Sequence, residues 1–288
     1  MYPKPSGGFD WAQASFGAVL RCGPLLDIAD HLFTAGDLQL RGDPDEWRRV
    51  ADALGVTSER LLLARQVHGA AAAFARRGCS TAWQPPEADV LATDDVSAAV
   101  GVRVADCAPV LLADRRIRAV AAAHAGWRGT ALGAVRAAVE ALTTQFGSHP
   151  GDLVAAVGPC LGPCCGEVGV EVVQAFREAG HAEAAIARWF SAGPSGRPHL
   201  NLWRANADQL ESAGLRPEHI HVARLCTRTY AGIFHSHRAA GDRAGRMIGA
   251  IRSQPPEPGT RNPEPRTRNR ALLPPSQLPF GGVHAEVG

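Results

Sequence analysis

The sequence predicts a single domain of the α/β (α+β) class, with a mixed β-sheet core and helices packed outside it. Three observations support this class. Strand-like and helix-like apolar runs alternate over residues 1–252. The apolar fraction of 45% is ordinary for a globular protein. A chain of 288 residues is also long enough to bury a full core.

The composition changes near Arg252. Residues 253–288 carry eight prolines and almost no periodic apolar pattern. Such a segment cannot bury enough apolar surface to offset the entropy lost on ordering. We therefore expect a catalytic domain over residues 1–252 and a disordered, proline-rich tail over residues 253–288.

The first clear element is a helix that begins after Asp43. Asp43 is a good N-cap, Pro44 suits the first helical position, and Glu46 suits the third. Apolar side chains then recur at helical spacing, and Gly55 ends the pattern.

Further elements follow along the chain. Residues 98–104 predict a buried strand, and residues 109–113 and 117–123 predict a hairpin around the polar turn 114–116. From Thr130 to Phe146 the apolar period becomes helical, with Leu132 on the apolar face and Gly147 at the end. Two more helices are expected over residues 167–179 and 203–213, and two late strands over residues 222–226 and 247–251.

Charge and cysteine content limit the classes of function. The formal net charge of +2 gives no reason to expect a nucleic-acid or membrane partner. Neither a secretory signal nor a long uninterrupted apolar run is visible. The seven cysteines are therefore expected to be reduced thiols or metal ligands in a cytoplasmic protein.

Three soft metal ligands each follow or end a predicted strand. They are His68, Cys107 and His124. Two imidazoles and one thiolate leave one position of a tetrahedral ion free, as in catalytic zinc sites, and copper is the competing ion. The alternative reading is a buried thiol and two hydrogen-bonded core histidines.

A glycine-flanked turn follows His124 and leads into the predicted helix. Its candidate anion ligands are Gly126, Arg128, Gly129 and Thr130. The free N–H groups at a helix start favour an anion, and the arginine adds a two-pronged phosphate donor. A tight turn with a surface arginine is the alternative. The glycine spacing fits neither a dinucleotide fingerprint nor a P-loop.

Asp106 precedes Cys107 and has two candidate roles. It could act as a general base or orient one of the histidine ligands, and capping a loop is an equally good interpretation. The cysteines at 160, 164 and 165 lack a matching pair at zinc-finger spacing, so we expect packing there and no second metal site.

Eight short motifs in order resemble the YfiH-like family, also called the multicopper polyphenol oxidase (laccase) domain family. The resemblance runs from about His31 to Ile251. Its motifs lie at residues 66–69, 89–93, 105–110, 124–129, 157–160, 202–203, 225–227 and 245–247. Three positions depart from the family pattern, namely Ala35–Asp37, Gly166, and His235 with His237.

The resemblance implies a zinc ion held by His68, Cys107 and His124. It also implies phosphorolysis of purine nucleosides (adenosine, inosine, guanosine and methylthioadenosine) together with deamination of adenosine. The leading hypothesis is therefore a zinc-dependent purine nucleoside phosphorylase with adenosine deaminase activity, whose partners are purine nucleosides and phosphate. The alternatives are a copper-dependent polyphenol oxidase, a metal-free Cys107–His124 hydrolase, and a non-catalytic binding module.

Overall fold

The computed structural model describes residues 2–78 and 83–254. Fourteen strands and eight α-helices make up this part of the chain. The strands are β1 Phe9–Ala14, β2 Gly17–Cys22, β3 Ala29–Thr34, β4 Leu61–Leu62, β5 Ala72–Ala75, β6 Val90–Thr93, β7 Ala99–Val104, β8 Ala108–Asp114, β9 Val120–Ala125, β10 Leu153–Val157, β11 Phe190–Ala192, β12 Pro198–Leu200, β13 Ile220–Val222 and β14 Met247–Ser253.

Six of these eight α-helices follow β9 in the chain. They are α1 Gly23–Leu26, α2 Pro44–Ala53, α3 Trp127–Leu132, α4 Ala134–Phe146, α5 Val170–Glu178, α6 Glu183–Trp189, α7 Leu202–Ser212 and α8 His237–Ala240. Within the described ranges, none of them is both long enough and apolar enough to cross a membrane.

Two six-stranded mixed sheets form the core, and β11 and β12 pair separately. The first sheet has the order β1-β2-β3-β14-β7-β4, in which only the β7–β4 pair is parallel. The second has the order β13-β10-β8-β9-β6-β5, in which β10–β13 and β5–β6 are parallel. The predicted mixed α/β architecture is correct, with its strands divided between two sheets.

The sheets stack face to face, and helices cover both outer faces. Side chains that alternate along a strand point to different layers. Leu20 and Phe33 meet Leu91 and Leu111 between the sheets. The other faces pack against α2 on the first sheet and against the helices from α4 to α7 on the second. The central strands are consequently apolar on both faces.

The two strongest local predictions are correct. The Asp43 side chain accepts a hydrogen bond from the Asp45 backbone N–H at 2.9 Å and caps α2, as the sequence indicated. Strands β8 and β9 pair antiparallel around the predicted polar turn. There the Asp114 carboxylate accepts the backbone N–H groups of Arg116 and Ile117.

The single helix predicted from Thr130 to Phe146 is wrong, because the chain forms α3 and α4 with a break at Gly133. Gly133 has φ of 84°, a left-handed conformation that ends one helix and begins the next. Leu132, predicted on the apolar face, is 58% exposed as a result. Periodicity alone did not reveal this break.

Two other predicted elements have different bounds. The helix expected from residue 167 begins only at Val170, because Glu167 bridges to His199 instead. The strand expected over residues 222–226 is β13, which ends at Val222, and Cys226 forms an isolated bridge with Cys160.

The predicted domain boundary at Arg252 falls within β14. Ser253 pairs with Ala29 and donates its hydroxyl hydrogen bond to the Arg118 carbonyl. The Gln254 amide donates to the Leu26 carbonyl at 3.2 Å. Residues 255–288 lie outside the described ranges, so the disordered tail stays a prediction.

Truncation at two neighbouring points would locate the functional end of the domain. A chain ending at Gln254 should keep its free energy of unfolding within about 0.5 kcal/mol. A chain ending at Arg252 loses the Ser253 and Gln254 contacts and should lose about 1–3 kcal/mol. Urea denaturation of both chains measures the difference. An equal and large loss in both would show that the tail itself packs on the domain.

Candidate metal centre and its cavity

His68, Cys107 and His124 come together in space as the sequence predicted. Their ligand atoms all lie within 4.8 Å of one another. The two imidazole rings are 4.9 Å apart between centroids and cross at 75°. The fold therefore brings the three side chains into one group of metal-ligand type.

The two-sheet architecture explains why these residues meet. Cys107 lies where the chain crosses from β7 in the first sheet to β8 in the second. Pro109 pairs with His124 in the β8–β9 hairpin, so Cys107 lies beside the end of β9. His68 lies in the loop that leaves β4 in the first sheet and reaches β5 in the second.

Asp89 connects two of the three ligands. Its carboxylate accepts the backbone N–H groups of Val67, His68 and Gly69 at 2.7–3.2 Å. It also accepts a hydrogen bond from Nδ1 of His124 at 2.7 Å. Asp89 is fully buried. Because Nδ1 of His124 is engaged, Nε2 is the ring nitrogen left for a metal.

The backbone at His68 is held in an uncommon conformation. His68 has φ of 61°, a value that costs a non-glycine residue free energy. The three hydrogen bonds to Asp89 offset this cost. Gln66 adds a second tie, because its side-chain amide exchanges two hydrogen bonds of 2.8 Å with the backbone of Arg103 on β7.

The charges within this group favour an ionised thiol. Burial opposes ionisation of Cys107, but hydrogen bonds and charge interactions with His124 and His68 outweigh it and lower the pKa to about 6. Burial also opposes protonation of His124, but Asp89 and Cys107 outweigh that and raise its pKa to about 9. A thiolate is the form of cysteine that binds metals.

These residues fit a zinc ion. One thiolate and two imidazoles form a three-ligand set, with the carboxylate–histidine hydrogen bond typical of zinc centres. Gly126 also permits the close approach of the chain, because a Cβ atom there would lie only 2.6 Å from Sγ of Cys107. Copper remains chemically compatible with the same ligands.

A cavity of about 760 Å³ opens onto this group. Five arginines line it, namely Arg41, Arg103, Arg128, Arg238 and Arg246. Over the described part of the chain, none of the five forms a salt bridge with a carboxylate. The remaining wall includes the apolar side chains of Trp127, Leu161, Val168, Leu200 and Leu202.

Most of these arginines were not predicted as site residues from the sequence. Arg103 lies in β7, which reads as an apolar strand, and Arg246 precedes β14. Both are half-buried, and the pKa of Arg103 is lowered by burial and by the charge of Arg246. Two positive charges that repel each other in a cavity make a favourable place for an anion.

Only part of the turn that was predicted to bind an anion, residues 126–130, lines the cavity. Gly126 and Arg128 line it, and the Arg128 guanidinium lies 4.3 Å from the ring centroid of Trp127. Thr130 does not line the cavity, because it is fully buried and its hydroxyl faces Asn206. Gly129 is also outside the lining. Thr130 and Gly129 therefore pack the turn, contrary to their predicted phosphate contact.

Asp106 lies in the cavity wall but does not contact either histidine ligand. Its carboxylate accepts the Thr227 hydroxyl at 2.5 Å and the Arg238 backbone N–H at 2.6 Å. The orienting role that the sequence offered to Asp106 belongs to Asp89. Asp89 lies in one of the motifs that carry the family resemblance. The residues around it do not indicate that its hydrogen-bond partner is His124, 35 residues away.

Comparisons with known proteins identify a family and several relatives. The family described as multi-copper polyphenol oxidoreductase laccase matches residues 44–254. "Purine nucleoside phosphorylase YlmD" of Geobacillus stearothermophilus is 35% identical over 210 residues, which are 71% of this chain and 76% of that protein. The crystal structure of YlmD from the same organism has a TM-score of 0.75 at 30% identity, covering 85% of this chain and 99% of that one.

Two other relatives have related names. "Adenosine deaminase RL5" from an unknown prokaryotic organism is 34% identical over 220 residues, covering 72% of this chain and 83% of that protein. A "Purine nucleoside phosphorylase" of Bacteroides thetaiotaomicron is 35% identical over 163 residues. That match covers 57% of this chain and 60% of the relative, so it spans less than two thirds of that protein's length.

Replacing Cys107 by alanine tests the ligand set. We expect the Cys107→Ala chain to bind one zinc ion fewer than the unmodified chain, because the only sulfur in the group is removed. Elemental analysis after dialysis measures the zinc content. Unchanged zinc content would show that the ion is held elsewhere.

Replacing Asp89 by asparagine tests its orienting role. The change places an NH₂ group among four N–H donors, so zinc affinity should fall by about tenfold to a hundredfold. Competition with a chromophoric zinc chelator measures it. Asp106→Asn is the matched control, because Asp106 contacts neither histidine and its replacement should leave zinc affinity unchanged. Equal losses in the two variants would contradict the assignment.

Proposed function

The chain belongs to the family of the multi-copper polyphenol oxidoreductase laccases. From this premise we propose that it is a zinc-dependent purine nucleoside phosphorylase with a second, adenosine deaminase activity. The observation that carries the proposal is one cavity with three different walls. These are a three-ligand metal group, a set of arginines without carboxylate partners, and an apolar face.

His68, Cys107 and His124 would hold the zinc ion. When bound, the ion would supply a Lewis acid beside the cavity, with one coordination position left for a reactant. Asp89 holds the His124 ring in one orientation and keeps its Nδ1 protonated. The thiolate of Cys107 balances part of the positive charge that an ion brings.

The arginines would hold phosphate. Arg103 and Arg246 are half-buried and lack carboxylate partners among the described residues, so an anion between them relieves their mutual repulsion. Arg128 extends the same positive surface to the start of α3, where the sequence placed the phosphate contact. Planar guanidinium groups suit a tetrahedral anion because each offers paired N–H donors.

The apolar wall suits a purine base. Trp127, Leu161 and Leu202 offer flat or apolar surface, and the cavity volume lies within the range of small-molecule sites. Two of the three departures from the family pattern, Gly166 and His237, also line this cavity. We therefore expect the catalytic centre to be retained and the preference among nucleosides to differ from that of relatives.

Both proposed reactions replace a group on a bound nucleoside. In phosphorolysis, a phosphate oxygen forms a bond to the sugar C1′ while the C1′–N9 bond to the purine breaks, and the purine takes up a proton. In deamination, a water oxygen replaces the amino group at C6 of adenosine, and ammonia leaves. The arginines serve only the first reaction, whereas the metal group and the apolar wall are available to both.

The other hypotheses have less support. A four-copper phenol oxidase needs several histidine clusters, whereas the described residues hold only two groups of metal-ligand type, with two histidines in total. A metal-free hydrolase has a specific observation in its favour, since Cys107, His124 and Asp89 are arranged as a nucleophile, a base and an orienting carboxylate. His68 adds a second imidazole to the group, which favours a metal site over a hydrolase. Reversible loss of activity on adding a chelator would distinguish the metal enzyme from the metal-free hydrolase.

Replacing the cavity arginines tests the phosphate site. Arg103→Ala and Arg128→Ala should each raise the KM for phosphate by about tenfold to a hundredfold, since a charge-assisted hydrogen bond contributes about 1.5–3 kcal/mol. Adenosine deamination needs no phosphate and should change much less. Both activities are measured on the same preparation of each variant.

Arg48→Ala is the matched control for these variants. Arg48 is an exposed arginine on α2 that pairs with Asp45 and lies outside the cavity lining. Its replacement should leave both activities unchanged. If Arg103→Ala and Arg128→Ala reduce deamination as much as phosphorolysis, those arginines stabilise the cavity or bind the purine, and the phosphate role is wrong.

A further inference from the structure

A second group of sulfur atoms lies apart from the metal centre described above. The Sγ atoms of Cys164, Cys165 and Cys226 all lie within 4.8 Å of one another. From the sequence we expected packing and no second metal site at Cys164 and Cys165, and no local pattern connected them with Cys226. The connection is made by the chain fold, because Cys160 and Cys226 form a parallel bridge that brings the two segments side by side.

Polar groups surround these sulfurs. The backbone N–H of Gly162 donates to Sγ of the buried Cys226 at 3.3 Å. The Thr229 hydroxyl lies 3.3 Å from Sγ of Cys164 and 3.6 Å from Sγ of Cys165. Hydrogen-bond donors aimed at sulfur stabilise a thiolate and are a regular feature of metal-bound cysteines. Simple apolar packing of the three cysteines does not require them.

The type of ligand selects the class of ion. Three thiols without an imidazole or carboxylate in the group suit a soft cation and disfavour magnesium or calcium. Zinc prefers four protein ligands in a closed structural site, and this group offers three. Cu(I) is the soft ion best matched to a set made only of thiolates. Cys164 is exposed, so an ion can reach the group from solvent.

We propose that Cys164, Cys165 and Cys226 bind one Cu(I) ion per chain, separately from the His68, Cys107 and His124 centre. Binding forms three Cu–S bonds and releases the thiol protons to solvent, with no change in the oxidation state of copper or sulfur. The proposal does not depend on the proposed function, because it concerns a different set of ligands.

The surroundings of two of these thiols differ. Burial opposes ionisation of Cys226, but hydrogen bonds from Thr229 and the Gly162 N–H outweigh it and lower the pKa of this thiol. Burial and the neighbouring Cys226 raise the pKa of Cys164 to about 11, against the Thr229 hydrogen bond.

The experiment uses the full chain with Cys107→Ala as background, so that the first centre lacks its thiolate. Reduced, metal-free protein is titrated anaerobically with Cu(I) in competition with the chromophoric chelator bathocuproine disulfonate. We expect one chelator-resistant copper per chain. X-ray absorption at the copper edge should then show sulfur neighbours only, whereas residual binding at His68 and His124 would show imidazole.

Further variants assign the ligands. Cys164→Ser changes an exposed residue and is expected to fold normally, and it should abolish the chelator-resistant copper, as should Cys226→Ala. Cys160→Ala is the matched control, because this buried neighbour is outside the sulfur group and its replacement should leave copper binding unchanged. Absence of resistant copper in the Cys107→Ala background overturns the proposal, as does retention of the copper in Cys164→Ser. Phosphorolysis by zinc-loaded Cys164→Ser should match that of the unmodified chain. Loss of copper binding in this variant can therefore be distinguished from a failure of the proposed phosphorylase function.

Discussion

The candidate site depends on one buried carboxylate. Asp89 accepts three backbone N–H groups from the loop that carries His68 and one ring N–H from His124. Four charge-assisted hydrogen bonds offset the cost of burying this charge and of holding His68 in the left-handed region. The carboxylate therefore fixes two ligands from different parts of the chain relative to each other. Among the described residues that line the cavity, Asp89 hydrogen-bonds only to these two candidate ligands, so it acts on the geometry of the centre through them.

The position of the site follows from the packing of the two sheets. Central strands such as β8 and β9 are buried on both faces, so charged side chains within them would lie in apolar surroundings. The candidate ligands lie instead at strand ends: His68 and Cys107 lie where the chain crosses between the sheets, and His124 lies near the end of β9. Both crossings near the cavity carry a ligand, Cys107 between β7 and β8 and His68 between β4 and β5. The packed strands of the core therefore fix both ends of each of these loops.

Features that depend on neighbouring residues could be predicted from the sequence, whereas features that depend on register could not. The Asp43 cap of α2 and the β8–β9 hairpin carry local signals and were correct. The three candidate metal ligands were predicted from residue type and context, and the fold brings them together. The partner of Asp89 is 35 residues away and is set by the β6–β9 pairing, which no local pattern shows. Arg103 was not predicted as a site residue for a similar reason. It lies within an apolar strand, and the side of the strand that faces the cavity depends on how the two sheets pack.

Asp106 gives a second example of a carboxylate that assembles the cavity. It is left-handed, with φ of 84°, and its two oxygens accept the Thr227 hydroxyl and the Arg238 N–H. Thr227 directly follows Cys226, and Arg238 donates from its side chain to the Cys165 carbonyl at 3.1 Å. Asp106 therefore joins the loop of Cys107 to the segments that carry the second sulfur group and a cavity arginine. Because both of its oxygens are already engaged, its contribution is better explained by positioning these segments than by transferring a proton. The two aspartates therefore act on different parts of the site: Asp89 holds the His68 loop and the His124 ring, whereas Asp106 holds the segments of Thr227 and Arg238 against the cavity.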